Sequence, residues 1–398
     1  MMKYSKATMF LFLFVLLFTL GCEDNHEPEI QRGEIVSSKK TLPLLTAENI
    51  NQFLPSDSIH ADAWAEYNIE AYSVQYYTID VHGKQTIASG AIYVPLSETD
   101  VSFPLASVHH GTIFRREDVA SVNPYYSGEG IWIAGNGFVV ACPDGLGLGV
   151  SDGIHPYIHA KGSAEPVVDF LRACRTFVTE KGIELNGQLF LAGYSEGGYV
   201  TMATHKTIEE NYADEFQITA SAPMAGPYDI EGMATTLLSW DTYDQPAYLG
   251  YVFMTYNTIY DLNNVHEVFQ SPYAEKVPFL YDGTLNGDQI RDSLTIVIAD
   301  LFQPSFIEGF TTNPEHELRT LLLEENTLLN WTPEAPIQIY HGSADVIVPY
   351  SVAEITANAL NITLVTFENR NHSTAAIPSI SEAILWLESY VTLFAENP

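Results

Sequence analysis

"LAGYSEGGY", residues 191–199, is the stretch on which the fold turns. It carries the pattern G-x-S-x-G at Gly193-Tyr194-Ser195-Glu196-Gly197. Before it, "GQLFLAG" (187–193) is a short apolar run bounded by glycine, which reads as a buried strand. After it, "GGYVTMATHKTIEE" (197–210) keeps Tyr199, Met202, Ala203 and Ile208 near helical spacing, with no proline to interrupt them. Strand, sharp turn and helix form the context in which a serine is held with its Oγ exposed. Small neighbours let strand and helix pass close together, and the helix N-terminus favours a developing oxyanion. Taken alone, the pentapeptide also fits an idle serine on a Gly-rich turn, so the rest of the chain must supply a base and an acid.

A hydroxyl nucleophile needs a base to take its proton, and the base needs an acid to orient it. Among 12 histidines, His372 is the best placed. It lies in "ENRNHSTAA", after the last expected strand (362–368) and before the last expected helix (374–394). Asp345 lies in "YHGSADVIVPY", in a loop leaving the strand expected at 336–342. Ser195, Asp345 and His372 therefore follow the order Ser–Asp–His, each just beyond a strand, where open α/β sheets gather their sites. The oxyanion requires two backbone N–H donors. One is expected from Glu196 and the other from Thr112, in the loop after "LASVHHGT". His109 and His110 are adjacent strand residues pointing to opposite faces, so they read as loop-shaping residues and not as a metal pair. No H-E-x-x-H or C-x-x-C supports a metal, and no cofactor is expected.

Short strands alternate with helices along most of the chain. Residues 71–81 and 84–95 read as an antiparallel pair turning at His82-Gly83; 104–111, 137–144 and 218–226 read as further strands. A helix is expected at 162–181 and another at 352–360. This alternation implies an α/β fold with a mostly parallel central sheet covered by helices on both faces. Residues 229–334 break it: they are rich in aromatics and helical patterns and carry no clear strand, which suggests an insertion over the strand ends. The expected division is a core of 46–228 and 335–398 with a helical cap at 229–334. The chain has 398 residues, 46% apolar and 12% aromatic, enough for a large core. Fifty acids against 17 bases give a net charge of −33, which excludes general nucleic-acid binding and disfavours anionic lipid surfaces.

At the N-terminus, Lys3 and Lys6 precede the apolar run "MFLFLFVLLFTLGC" (9–22), too short for a comfortable membrane span and suited to a signal segment. Its end, Gly21-Cys22, resembles a bacterial lipobox, with Thr19 where such boxes usually carry Leu. The resemblance implies a lipid on Cys22 and export to the outer membrane or cell surface; residues 23–45 are polar and acidic and read as a tether. An ordinary secretory signal, giving a secreted or periplasmic protein, is the alternative. Any membrane association would then run through this anchor. Of the other two cysteines, Cys142 and Cys174, buried free thiols are expected and a bridge stays open. The N-x-S/T sequons at Asn330, Asn361 and Asn371 are incidental if the chain is exported from a bacterium.

"HHGT", "CPDGLGLGVSDGIHPY", "GYSEGG", "HGSADVIVP" and "RNH" come in the order that resembles α/β-hydrolases. "PDGLGLGVSDGIHPY" (143–157) is the more particular signature: it is similar to bacterial lipase-like hydrolases and to the secretory lipases related to lipase A. The resemblance implies the α/β-hydrolase fold, hydrolysis of carboxylic esters, a cap in the slot 229–334 forming an acyl pocket, and a triad at Ser195, Asp345 and His372. Two departures stand out. The oxyanion loop reads H-G-T, and the residue after the serine is Glu196, whose charge is unfavourable there unless its side chain points away. Gly145, Gly147 and Gly149 read as turn formers. A serine peptidase on the same fold is the rival expectation, with Glu308, Glu315 and Glu317 as candidate anchors for a free amine. A non-catalytic adhesion protein is the third.

Overall fold

The computed structural model describes residues 31–392, apart from 56–58, 61 and 327. The signal segment, Cys22 and the far end of the last expected helix lie outside the described residues. Nine strands form one sheet: β1 (Ile35–Leu45), β2 (Asn68–Ile79), β3 (Gln85–Leu96), β4 (Phe103–His109), β5 (Val139–Pro143), β6 (Leu185–Tyr194), β7 (Ile218–Met224), β8 (Gln338–Gly342) and β9 (Thr363–Phe367). Their order is β1-β2-β3-β5-β4-β6-β7-β8-β9. The first three strands and the β3–β5 pair are antiparallel; from β5 to β9 every pair is parallel.

Period-two patterning builds the layers. In β6, Leu189 and Leu191 join an apolar cluster with Phe170, Cys174 and Phe177 of the helix Ala160–Lys181. Phe190 and Ala192, between them, join a different cluster with Trp132, Ile380 and Ile384. Side chains of a strand alternate faces, so the sheet is buried on both sides and its central strands can be continuously apolar. The β2–β3 hairpin closes where the Asp80 carboxylate accepts from the His82 and Lys84 amides, both at 2.9 Å, with Gly83 at φ +81°. Cys142 and Cys174 are buried free thiols in the two opposite-face clusters.

One boundary needs correcting. The acidic tether expected over 23–45 does not run that far, because Ile35–Leu45 is the edge strand β1. Only Leu42 and Leu45 of that strand are buried, and Lys39 and Lys40 face outward, so its composition resembles solvated chain. Lysine on an edge strand discourages further pairing. Lys40 forms an ion pair with Glu70 of β2.

Between β7 and β8 the chain forms helices, including Ile230–Leu238, Pro246–Ile259, Pro304–Thr312 and Glu317–Asn326, with isolated bridges but no named strand among the described residues. Phe253, Phe269, Phe302 and Phe310 share one apolar cluster with Tyr199 and Met202 of the core helix that follows Ser195. The returning chain is fixed by Glu209, whose carboxylate accepts from the Glu334 and Ala335 amides at 3.0 and 2.8 Å and faces His205 Nε2 at 2.8 Å. No described helix is long and apolar enough to cross a membrane.

Candidate active site

Ser195 sits between β6 and the helix Glu196–Asn211 with φ +60° and ψ −121°, a conformation a serine rarely adopts. Such strain persists only where the surroundings over-determine it. Here the Ser195 amide donates to the Met224 carbonyl at 2.8 Å, tying the turn to the end of β7. Gly197 is obligatory for packing: a Cβ there would fall on the His109 carbonyl oxygen at the end of β4.

His372 is the first residue of its helix, Glu388 the last, so the helix starts two residues earlier than the sequence suggests. Asn371 explains the difference. Its side chain accepts from the Thr374 amide at 3.0 Å while the Thr374 hydroxyl accepts from the Asn371 amide at 2.9 Å, a reciprocal cap that starts the helix at His372. Tyr194, next to the serine, donates its hydroxyl to the His372 carbonyl at 2.5 Å. The imidazole is thereby held against the turn, with Nε2 2.9 Å from Ser195 Oγ and Nδ1 2.6 Å from Asp345 Oδ2.

A carboxylate can only accept, so Nδ1 carries the proton and Nε2 offers its lone pair to the serine hydroxyl. Asp345 Oδ1 accepts from the Ile347 and Val348 amides at 2.9 and 3.0 Å. Oδ2 also lies 3.2 Å from His341 Nε2, which sits 2.9 Å from the Val348 carbonyl. Burial pushes the Asp345 carboxyl up, but the hydrogen bonds from His341 and His372 outweigh it and hold the pKa down at about 2. The sequence reading missed His341, which stands four residues before Asp345 in β8.

Gly111 packs close to Ser195: a Cβ on it would be 3.9 Å from the serine Cβ. The Thr112 amide follows at once and has no acceptor among the described residues. Its hydroxyl lies 3.2 Å from Tyr157 OH. Glu196 opens the helix, where amides lack intrahelical acceptors. Its side chain does turn inward, away from solvent, and Oε1 lies 2.6 Å from His155 Nε2. The rings of His109 and His110 separate as strand alternation requires. His109 bridges Ser107 Oγ and Thr201 Oγ1 at 3.0 and 2.8 Å, and burial pushes it down to about 3. His110 faces the Gly111 and Asp144 carbonyls at 2.7 and 2.9 Å.

From Ser195 an apolar pocket of about 840 Å³, mouth included, runs under the helical insertion. Leu237, Val252, Phe302, Phe306, Leu318 and Leu322 line it, and Glu196 is the acidic residue among its lining. Glu308, Glu315 and Glu317 are exposed and lie outside that lining. A second, polar pocket lies beyond Thr112 and shares Tyr248 with the first; Arg115, Asp118, Asn286 and Arg291 line it. No group of three or more His, Cys, Asp or Glu placed to hold a metal ion occurs among the described residues.

Comparison with known proteins adds to this geometry. The model of the secretory lipase family matches residues 133–392. A secreted triacylglycerol lipase of Malassezia globosa is 21% identical over 262 residues, covering 63% of this chain and 53% of that protein, about half its length. A crystal structure of a hydrolase from Legionella pneumophila superposes with a TM-score of 0.83 at 25% identity, over 91% of this chain and 100% of the other. The rice cell wall degrading esterase LipA of Xanthomonas oryzae superposes with a TM-score of 0.78 at 27% identity, over 90% and 98% of the two chains.

Proposed function

The chain belongs to the secretory lipase family, with the α/β-hydrolase fold, and from that premise we propose that it hydrolyses carboxylic esters through Ser195, His372 and Asp345. The observation that carries the reading is the continuous run of contacts, 2.9 Å from Ser195 Oγ to His372 Nε2 and 2.6 Å from Nδ1 to Asp345. His372 takes the hydroxyl proton as Oγ attacks the ester carbonyl. The imidazolium that forms is stabilised by the Asp345 carboxylate. The Thr112 and Glu196 amides receive the charge on the carbonyl oxygen. His372 then protonates the leaving alcohol, and finally activates a water that releases the acyl group from Ser195.

The apolar pocket receives the acyl chain, and the polar pocket beyond Thr112 receives the alcohol. This pairing favours an apolar acyl group on a polar alcohol such as a glyceride or a sugar. The peptidase reading loses its support, because none of the three candidate glutamates lines the pocket. Export is part of the proposal, resting on the basic and apolar N-terminal segment and the family; lipid attachment at Cys22 is its finer form.

The test is covalent labelling with a fluorophosphonate probe, followed by p-nitrophenyl esters of increasing acyl length beside amino-acyl anilides. Labelling and ester turnover should both vanish in Ser195→Ala, and anilides should turn over negligibly. Persistent turnover in Ser195→Ala overturns the mechanism, and anilide turnover rivalling that of the esters overturns the substrate class.

A further inference from the structure

The stretch 143–157 contributes no residue to the proposed triad, yet its glycines wrap one side chain. A Cβ on Gly145 would come within 3.0 Å of His155 Cε1, and one on Gly147 would fall on the His155 amide nitrogen. Both glycines also have positive φ, +85° and +73°. They clear a slot in which His155 is almost fully buried. Its Nδ1 lies 2.7 Å from the Leu146 carbonyl and its Nε2 2.6 Å from Glu196 Oε1.

A carbonyl oxygen only accepts, so Nδ1 carries a proton; a second proton lies between Nε2 and the carboxyl. Wherever that second proton sits, the pair as a whole is uncharged. Without it, Glu196 would be a buried anion one residue from the nucleophile. It would be poorly compensated, because its Oε2 has no hydrogen-bond partner among the described residues. Such a charge opposes an oxyanion forming at the amide of the same residue.

We propose that His155 is a positioning residue that compensates the charge of the Glu196 side chain, so that the Glu196 amide can stabilise the oxyanion. The proposal rests on the ester-hydrolase reading above. It also links the cap to the serine turn. Thr255 of the helix Pro246–Ile259 donates its hydroxyl to the His155 carbonyl at 3.1 Å, and Tyr256 donates to the Ile158 carbonyl at 3.1 Å. Tyr251 of the same helix stacks on Tyr157 with ring centroids 4.6 Å apart.

Other groups surround the pair. His110, 6.3 Å from His155 between ring centroids, is directed at carbonyl groups, and Asp144 adds an acidic group behind it. His109 lines the same small cavity and is neutral. Arg116 is engaged with the Gly147 and Gly153 carbonyls. Tyr157, Tyr248 and Tyr251 face the pair as phenols that burial pushes upward. For His155 itself, burial pushes the imidazole down, but the charge and hydrogen bond of Glu196 outweigh it and raise its pKa, which retains the second proton to higher pH. As pH rises through that raised value the pair loses its proton and the rate should fall.

The experiment compares full-chain His155→Gln, Glu196→Gln and the double variant on p-nitrophenyl butyrate, with Ser195→Ala alongside. His155→Gln should lower kcat at least ~10-fold with KM within about twofold, because the missing interaction acts on transition-state charge. Adding Glu196→Gln should return at least about fivefold of that kcat, since two neutral amides remove the uncompensated charge. A kcat within about twofold of the parent for His155→Gln overturns the proposal, as does a double variant no faster than the single. Should His155→Gln fail to fold, Glu196→Gln decides through its pH profile: loss of the alkaline fall in kcat supports the proposal and an unaltered fall overturns it. Activity surviving in Ser195→Ala would instead fault the mechanism on which the proposal rests.

Discussion

Replacing Asp345 by asparagine tests the proposed site through a detail of its hydrogen bonding. Oδ1 is held by two amides, Ile347 and Val348, at 2.9 and 3.0 Å. An asparagine must place its oxygen there, because an NH2 group would oppose two donors. The NH2 then takes the position of Oδ2, 2.6 Å from His372 Nδ1. Facing a donor, the imidazole moves its proton from Nδ1 to Nε2, and its lone pair no longer meets Ser195. The variant loses a charge-assisted hydrogen bond of ~1.5–3 kcal/mol and adds ~1–3 kcal/mol for the inverted tautomer and the donor opposed to His341. The sum, about 2.5–6 kcal/mol, corresponds to a ~10²–10⁴-fold loss of kcat at 1.36 kcal/mol per factor of ten. Steady-state kinetics on a p-nitrophenyl ester at pH 7, with circular dichroism to establish folding, measure it. A folded Asp345→Asn protein retaining more than about a tenth of kcat would refute the argument from pinned orientation.

Leu237→Trp fills the apolar pocket; losing the burial of four methylenes at ~0.8 kcal/mol each should cut kcat/KM for a long acyl ester ~200-fold while acetate changes by less than about threefold. Equal losses on both esters would contradict the acyl assignment. Acid should erode the folded state through Asp345, whose pKa of about 2 lies below its ordinary 3.8. A depressed carboxyl stabilises above its unfolded value and loses that contribution as pH falls from about 4 to 2, here ~2.5 kcal/mol. Urea unfolding at pH 6 and pH 2.5 should show the stability gap between the parent and Asp345→Asn shrinking by ~1.6 kcal/mol, the part of that contribution lost by pH 2.5, and a pH-independent gap would contradict it.

The strands β4 to β8 were legible because both faces of the sheet are covered there, which leaves apolar runs punctuated by glycine. Ser195, Asp345 and His372 were legible because each stands just beyond an expected strand. The strand β1 was not, since an edge strand with two buried residues and two lysines looks like solvated chain. The helix start at His372 depends on a cap between Asn371 and Thr374, a polar pairing that apolar periodicity does not register. His155 and His341 were invisible for a different reason. Their partners, Glu196 and Asp345, lie across the fold or across a turn, and twelve histidines give no means of choosing between them. That the Glu196 side chain points away from the oxyanion was anticipated only as a condition, because a sequence does not say which partner a buried carboxylate meets.

The helical insertion leaves the sheet after β7 and comes back at β8, and these two strands are neighbours that pair through Met224 and Tyr340. The sheet is therefore continuous with or without the excursion. Ser195, Asp345 and His372 all stand on the uninterrupted part, whereas most of the apolar pocket wall belongs to the excursion. On the proposed reading, that roof can be lengthened or replaced to suit a different diet while the sheet beneath it keeps Ser195, Asp345 and His372 in place. Grafting the roof of one relative onto the foundation of another is the corresponding route for an engineer.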